Sequence, residues 1–296
     1  MGEGGADATP RPTTWRPLLA GVAVYAAFLA AAYVMVRSDL TEMDPCFSVH
    51  EGDLCYCELF RTGLIKQPVN TASNLVFALV GFAVLADLAL FRPAPRNALT
   101  RDPMWSVWYG MLALYLGPGS MVFHASYTWW AGILDGVSMY AWLSFVVVYD
   151  LERLLRIGRR VAFALWLAIN AAWVAMRVLI PNQGSAVSSS TLIFVALLCL
   201  MLISIAAVVV LRREHVRFTA HGWLLASFGF FGVGLAVWLH SGTGQALCVA
   251  DSVWQGHAAW HLSAAVAVGF LYLYLRQSED APSRAAPALR AGSRKA

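Results

Sequence analysis

The sequence predicts an all-α membrane protein with eight transmembrane helices. Hydrophobic residues make up 59% of the 296 residues and charged residues only 13%, a composition that excludes a soluble globular domain. Eight apolar runs are each about 20 residues long, which is the length that crosses a bilayer core as a helix. They span residues 17–37, 71–91, 104–124, 130–149, 160–180, 190–211, 221–241 and 256–276.

The distribution of basic residues orients these spans, because cytoplasmic loops of membrane proteins collect Lys and Arg. With the N-terminus inside, 17 of the 21 basic residues are cytoplasmic. The exceptions are Arg37, Arg61, Lys66 and Arg177. A seven-span count would break this alternation, which favours eight spans with both termini in the cytoplasm. The formal net charge of +4 therefore reflects topology and does not indicate a nucleic-acid partner.

The first apolar run, residues 17–37, follows Arg11 and Arg16, a pattern that signal peptides share with membrane anchors. Its length exceeds that of a signal-peptide core, and no A-x-A cleavage site is obvious. We therefore interpret it as an uncleaved N-terminal transmembrane helix. The two ends of the chain, residues 1–16 and 277–296, have the composition of disordered cytoplasmic termini.

The segment between the first two spans, residues 38–69, is extracytoplasmic in this topology and contains Cys46, Cys55 and Cys57. Cys248, in the loop before the last span, lies on the same side. Compartments outside the cytoplasm are oxidising, so we expect a disulfide between Cys248 and either Cys55 or Cys57. The sequence alone leaves both partners open.

Three histidines lie at the extracytoplasmic ends of apolar helices. His257 and His261 are four residues apart and project from one helix face, whereas His124 ends the third span. A single histidine there is more often an ordinary buried side chain. A set of three imidazoles near hydrocarbon is costly and usually functional. Three neutral histidine ligands with an open fourth position are typical of a catalytic zinc site.

Other polar residues lie in the same layer of the membrane. Ser120 is one turn before the histidine of the third span. Asp135 lies inside the fourth span, where an unpaired carboxylate is expensive, so we interpret it as a proton-transfer group or a partner of a ligand histidine. Three residues at the start of the second span either support the site or cap the helix. They are Asn70, Ser73 and Asn74.

Three segments of the chain, in order, carry a family resemblance. They read QPVNTASNLVF, GPGSMVFHASYTWWAGILDGVSM and GHAAWHL. These segments resemble the alkaline ceramidase family, part of a group of seven-helix membrane hydrolases that also includes the adiponectin and progestin receptors. The similarity covers roughly residues 53–276. It implies a seven-helix hydrolase core over residues 70–276, preceded by one extra transmembrane helix, in a divergent, bacterial-type member.

The resemblance also implies an activity and a set of site residues. The family's zinc-dependent amidases cleave the N-acyl bond of ceramide or a related lipid with zinc-activated water, releasing a long-chain base and a fatty acid. In this chain, His124, His257 and His261 correspond to the zinc ligands. Ser120 and Asp135 correspond to the catalytic residues beside the water. The expected partners are a lipid substrate and the bilayer, and nothing in the sequence indicates an oligomeric state.

The resemblance implies a second metal site in the eukaryotic members of the family, a calcium site built from an acidic motif before the first core helix. Asp53 and Glu58 are the candidate calcium ligands here, and they fit the motif only loosely. Gln67 stands where those members have a carboxylate. Calcium is therefore a doubtful second cofactor beside zinc.

The alternative is a non-enzymatic receptor-like or transport protein with a structural metal site, because receptors of the same group keep similar residues. Ser120, Asp135 and the limit of three histidine ligands favour hydrolysis. A transporter more often places its polar residues at mid-membrane, whereas these gather at one end. Both hypotheses put the site near the extracytoplasmic face.

Overall fold

Ten helices make up the described part of the chain, which in this computed structural model is residues 15–37, 56–91, 96–179, 189–211 and 218–279. Their bounds are α1 Arg16–Arg37, α2 Pro68–Ser73, α3 Leu75–Leu90, α4 Ala98–Arg101, α5 Pro103–Ser126, α6 Trp129–Leu155, α7 Arg159–Leu179, α8 Ser189–Leu211, α9 Phe218–Leu239 and α10 Gly256–Gln277. Of the predicted disordered ends, only residues 15–16 and 277–279 belong to the described part of the chain. Cys46, Asp53 and Cys55 also lie outside them.

Seven helices among the described residues are long and apolar enough to cross a membrane. They are α1, the stretch formed by α2 and α3, α6, α7, α8, α9 and α10. The chain is therefore an all-α, multi-pass membrane protein, as the sequence predicts. The predicted third span is a helix too, α5, but it is not among these seven. Its glycines, serines, tyrosines and histidine lower its hydropathy.

The central helix of the bundle is α5, which packs between α3 and α6. Gly81 allows the backbones of α3 and α5 to touch, because a Cβ atom at this position would lie 2.5 Å from the main-chain nitrogen of Leu114. The last helix, α10, packs against α9 and against α2 and α3. The first turns of α10 thus lie beside the last turn of α5. We call this end of the bundle the histidine end.

The predicted extra N-terminal helix, α1, packs across α3 and α5. The ring of Tyr25 meets that of Phe82 edge to face, with centroids 5.5 Å apart. Further along, Phe28 meets Tyr115 of α5 at 5.6 Å. Most of the remaining surface of α1 is exposed and apolar, as expected for a helix in contact with lipid.

At the opposite end of the bundle, an ion pair joins α3 to α10. Arg276 donates from Nε to a carboxylate oxygen of Asp87 at 2.7 Å, and the Tyr272 hydroxyl donates to the same oxygen at 2.9 Å. The sequence pattern offers Asp87 no partner, because Arg276 is 189 residues away in the chain. The carboxylate is thus satisfied by the helix that also carries two of the histidines.

Residues 56–67 lie across the histidine end of the bundle. Cys57 and Cys248 form a disulfide. Of the two partners that the sequence allows for Cys248, Cys55 and Cys57, the structure thus selects Cys57. The Leu59 amide donates to the Ala250 carbonyl at 3.0 Å, which pairs the segment with the loop before α10. The disulfide and this hydrogen bond hold the two extramembrane segments together over the end of α5.

We expect Cys248→Ser to destabilise the protein, because the disulfide closes a loop of 191 residues. Removing a native disulfide costs about 2–5 kcal/mol in small secreted domains. The measurement is thermal unfolding of the purified protein in detergent under oxidising conditions. Cys199→Ser is the matched control, since Cys199 is a free cysteine, and it should unfold like the wild type. Equal unfolding temperatures for the two variants would contradict the structural role of the disulfide.

Candidate metal centre

The three predicted histidines converge at the histidine end. His124 lies in the last turn of α5, and His257 and His261 lie in the first two turns of α10. One nitrogen from each ring lies within 4.8 Å of the other two, and Nε2 of His124 is 3.2 Å from Nε2 of His257. All three side chains are buried, with 1%, 6% and 4% exposure. The cluster can hold a metal ion.

Two of the rings are oriented by hydrogen bonds at Nδ1. His261 Nδ1 lies 2.7 Å from the Ser73 hydroxyl, and that hydroxyl donates its own hydrogen to the Asn70 carbonyl at 2.9 Å. His124 Nδ1 lies 3.0 Å from the side-chain oxygen of Gln67. Both oxygens therefore accept from an Nδ1–H group, which places the lone pair on Nε2. This tautomer is the one that a metal ligand needs.

The third ring, His257, is held by packing. The Tyr56 ring covers it with centroids 4.2 Å apart and also contacts His124 at 5.2 Å. His257 Nδ1 is buried and has no hydrogen-bond partner among the described residues. The ring position thus depends on Tyr56 and on the neighbouring imidazoles.

The donor set fits a divalent transition metal. Three nitrogen lone pairs facing one another in an apolar bundle are unfavourable without a positive charge between them. Three histidines leave a tetrahedral ion one open position. Within the described residues, no carboxylate joins the three imidazoles in a metal-binding group. The arrangement is thus suited to an ion that keeps a site for water.

Ser120 lies on α5, one turn before His124, and is buried. A close approach of α5 and α6 occurs beside it. A Cβ atom on Gly119 would lie 2.7 Å from Cβ of Ser138 and 3.2 Å from the Leu134 carbonyl. The missing side chain at Gly119 thus lets α6 come close to α5 at the residue next to Ser120.

Asp135 follows Leu134 on α6 and is partly buried. The Tyr115 hydroxyl donates to the Leu134 carbonyl at 3.3 Å, and the Asp135 carboxylate interacts electrostatically with that tyrosine. Asp135 is therefore on the side of α6 that faces α5. It is not part of the metal-binding group of the described residues.

The polar residues around α2 differ in their roles. Ser73 contacts His261 directly, whereas the Asn70 side chain donates to Gln67 at 3.0 Å. Asn74 occupies the N-cap position of α3, yet its side chain makes no capping bond and donates to the Asn70 carbonyl instead. Of the three candidates, Ser73 is thus the one whose side chain has a described hydrogen bond to a metal-site ring.

Glu58 is buried and its carboxylate is fully engaged. The two oxygens accept the main-chain N–H groups of Val69 and Asn70 at 2.8 and 2.7 Å, in the first turn of α2. Burial raises the pKa of the Glu58 carboxyl, and the two hydrogen bonds and the charge of Arg61 partly oppose this. A carboxylate whose two oxygens each accept an N–H bond has fewer lone pairs left for calcium, which binds through oxygen ligands. Glu58 in this arrangement does not fit the expected calcium site, and Asp53, the other candidate ligand, lies outside the described residues.

Gln67 is the site residue that the sequence did not reveal as a partner of His124. Its main-chain N–H donates to the His124 carbonyl at 3.1 Å, in addition to the side-chain contact. The two residues are 57 positions apart, and no local pattern connects them. Only the position of residues 56–67 across the end of α5 brings them together.

Comparison with known protein families agrees with this geometry. A family model described as Ceramidase matches residues 51–284, which includes all three histidines, Ser120 and Asp135. The matched region begins after α1. A search of curated protein sequences finds no match to the chain. Because the family model covers well over half of the sequence, the chain belongs to the ceramidase family.

Proposed function

We propose that this protein is a zinc-dependent amidase of the membrane that hydrolyses the N-acyl bond of ceramide or a related lipid. The products would be a long-chain base and a fatty acid. One observation carries the proposal: a ceramidase-family chain has three buried imidazoles whose ligand atoms lie within 4.8 Å of one another. The substrate class comes from the family and the metal from the donor set.

His124, His257 and His261 are the residues that would hold zinc. When bound, zinc supplies Lewis-acid chemistry, since it lowers the pKa of water to about 7 and polarises a carbonyl oxygen. The hydrogen bonds from Nδ1 of His124 and His261 would leave the Nε2 lone pairs of both rings available to zinc. Structural zinc sites are closed by four protein ligands, so three ligands favour hydrolysis over the receptor-like alternative.

In the proposed reaction, the oxygen of water bonds to the amide carbonyl carbon, and the carbon–nitrogen bond then breaks. Asp135 would accept the proton that the water loses and return it to the leaving amine nitrogen. Ser120 would donate a hydrogen bond to the oxygen that becomes negatively charged. The close approach of α5 and α6 supports these roles, because the residues that make it, Gly119 and Leu134, are the sequence neighbours of Ser120 and Asp135.

We further propose that the site faces the extracytoplasmic side. Among the described residues, most arginines lie at the end opposite the histidines, where positive charge is expected to mark the cytoplasm. They are Arg16, Arg96, Arg101, Arg153, Arg156, Arg159, Arg160 and Arg276. The disulfide between Cys57 and Cys248 lies at the histidine end, which suits an oxidising compartment.

The purified protein should contain about one zinc ion per chain by elemental analysis, because three histidines form a single site. A His257→Ala, His261→Ala double variant should lose it, since only one ligand remains. His240→Ala is the control, because His240 is exposed and bonds the Ala236 carbonyl of its own helix. Wild-type protein without metal, or a double variant that retains it, would contradict the zinc site.

Incubation with a panel of N-acyl lipids should release free fatty acid from at least one long-chain amide, with loss of release after zinc removal. Mass spectrometry of the released acid and base identifies both the headgroup and the acyl-chain preference. Ester-linked lipids of the same chain length serve as the comparison. A zinc-loaded protein that cleaves none of the amides would instead support the receptor-like alternative.

Asp135→Asn should lower kcat by about 10²- to 10⁴-fold on an accepted lipid, the range typical of general acid–base catalysis. Its zinc content should stay unchanged, because Asp135 is outside the ligand group. The control is Asp251→Asn, which removes an exposed carboxylate at the same end of the bundle. Full turnover in Asp135→Asn would rule out the proton-transfer role.

A further inference from the structure

Gln67 is completely buried, and both ends of its amide are used. The side-chain oxygen is within hydrogen-bond distance of three groups. They are His124 Nδ1 at 3.0 Å, Asn70 Nδ2 at 3.0 Å and the Tyr127 hydroxyl at 3.1 Å. The side-chain nitrogen donates to the Glu58 carbonyl at 2.9 Å. A buried amide with this many partners is constrained in both position and orientation.

These partners decide which end of the amide faces the metal-site ring. The Glu58 carbonyl accepts hydrogen bonds and cannot donate, so it must face the NH₂ group of Gln67. The oxygen of Gln67 therefore faces His124. Because an amide oxygen only accepts, it requires the hydrogen on Nδ1 and leaves the Nε2 lone pair for the metal.

The main chain strengthens this contact. The N–H group of Gln67 donates to the His124 carbonyl at 3.1 Å, and the N–H group of Lys66 donates to the Ala125 carbonyl at 2.9 Å. Gln67 is thus bound to His124 through both its main chain and its side chain. A change at Gln67 acts on a single imidazole and on the last turn of α5.

Glu58 holds Gln67 in place from the other side. Its carboxylate accepts two N–H groups in the first turn of α2, and Gln67 is the N-cap residue of that helix. Negative charge at a helix N-terminus is favourable. The network from Glu58 through Gln67 to His124 is complete with protein donors, and among the described residues it offers a single carboxylate, whereas a calcium ion takes about six to eight oxygen ligands.

We propose that Gln67 is a positioning residue that orients His124 for metal binding, and that the Glu58–Gln67 hydrogen-bond network does this without calcium. The inference rests on the metal site of the proposed function and not on the identity of the lipid. Gln67 would set metal affinity without touching the metal or the substrate. An uncharged glutamine suits this position, because the buried Glu58 carboxylate lies nearby.

The first test is the zinc affinity of the full-length protein in detergent, measured by competition with a chromophoric chelator. Gln67→Met keeps the side-chain volume and removes the acceptor, so zinc should bind roughly 10- to 100-fold more weakly, the usual effect of losing a ligand's hydrogen-bond partner. Gln67→Asn keeps a neutral amide that is too short to reach the ring, so its zinc affinity should fall as far as that of Gln67→Met. Agreement between the apolar and the amide variant separates orientation of the ring from loss of a buried polar group.

Gln255→Met is the matched control. Gln255 is also buried and donates to the Val249, Ala250 and Ser252 carbonyls without contacting an imidazole. Its zinc affinity should stay close to that of the wild type even if its unfolding temperature falls. Equal losses in Gln255→Met and Gln67→Met, or wild-type zinc affinity in Gln67→Asn, would overturn the positioning role. If Gln67→Met does not fold, Gln67→Asn alone serves for this comparison.

The second test addresses calcium. Metal-free protein is reloaded with zinc alone or with zinc and calcium at about 1 mM, the weak end of protein calcium sites. We expect the same zinc affinity in both cases and no stoichiometric calcium by equilibrium dialysis with radioactive calcium. Calcium that binds one per chain and is lost in Glu58→Gln would overturn the inference. A wild type that binds no zinc would defeat the proposed function itself, whereas zinc bound equally by wild type and Gln67→Met defeats only this inference.

Discussion

Three imidazoles are buried at one end of an apolar bundle, and most of the polar structure around them follows from that burial. A buried polar group without a partner costs several kcal/mol in an apolar environment. His124 and His261 meet this requirement through Gln67 and Ser73, which in turn depend on α2 lying between α5 and α10. The orientation of α2 depends on the Glu58 carboxylate at its first turn. The metal site and the segment before α2 therefore form one hydrogen-bonded unit.

The polar residues of α5 lower its hydropathy below that of the candidate membrane spans. The other long helices are apolar enough to qualify as membrane spans, whereas α5 carries glycines, Ser120 and His124. Gly81 on α3 and Gly119 on α5 let the neighbouring backbones approach closely, which buries α5 in the centre of the bundle. Burial among helices makes its polar residues tolerable, because protein neighbours replace lipid. Among the described helices, the central one is thus a long helix that falls outside the set of candidate membrane spans.

Residues 56–67 lie over the site and contact both helices that carry the histidines. The Cys57–Cys248 disulfide and the contact of Tyr56 with His257 tie this segment to α10, while Gln67 ties it to α5. The two helices that supply the histidines are therefore joined by the same short stretch of chain. The contacts that hold this segment are a disulfide, aromatic packing and hydrogen bonds, including those of the Glu58 carboxylate.

Local patterns in the sequence determined the helices, the membrane class and the layer in which the histidines lie. Run length sets the spans, and the four-residue spacing places His257 and His261 on one face of α10. Tertiary structure alone decided the choice of Cys57, the roles of Gln67 and Ser73, and the partner of Asp87. Ser73 and His261 are 188 residues apart, so their contact depends on how helix sides pack. Hydrophobic periodicity reports which residues share a depth or a helix face, and it carries no information about which helix lies opposite.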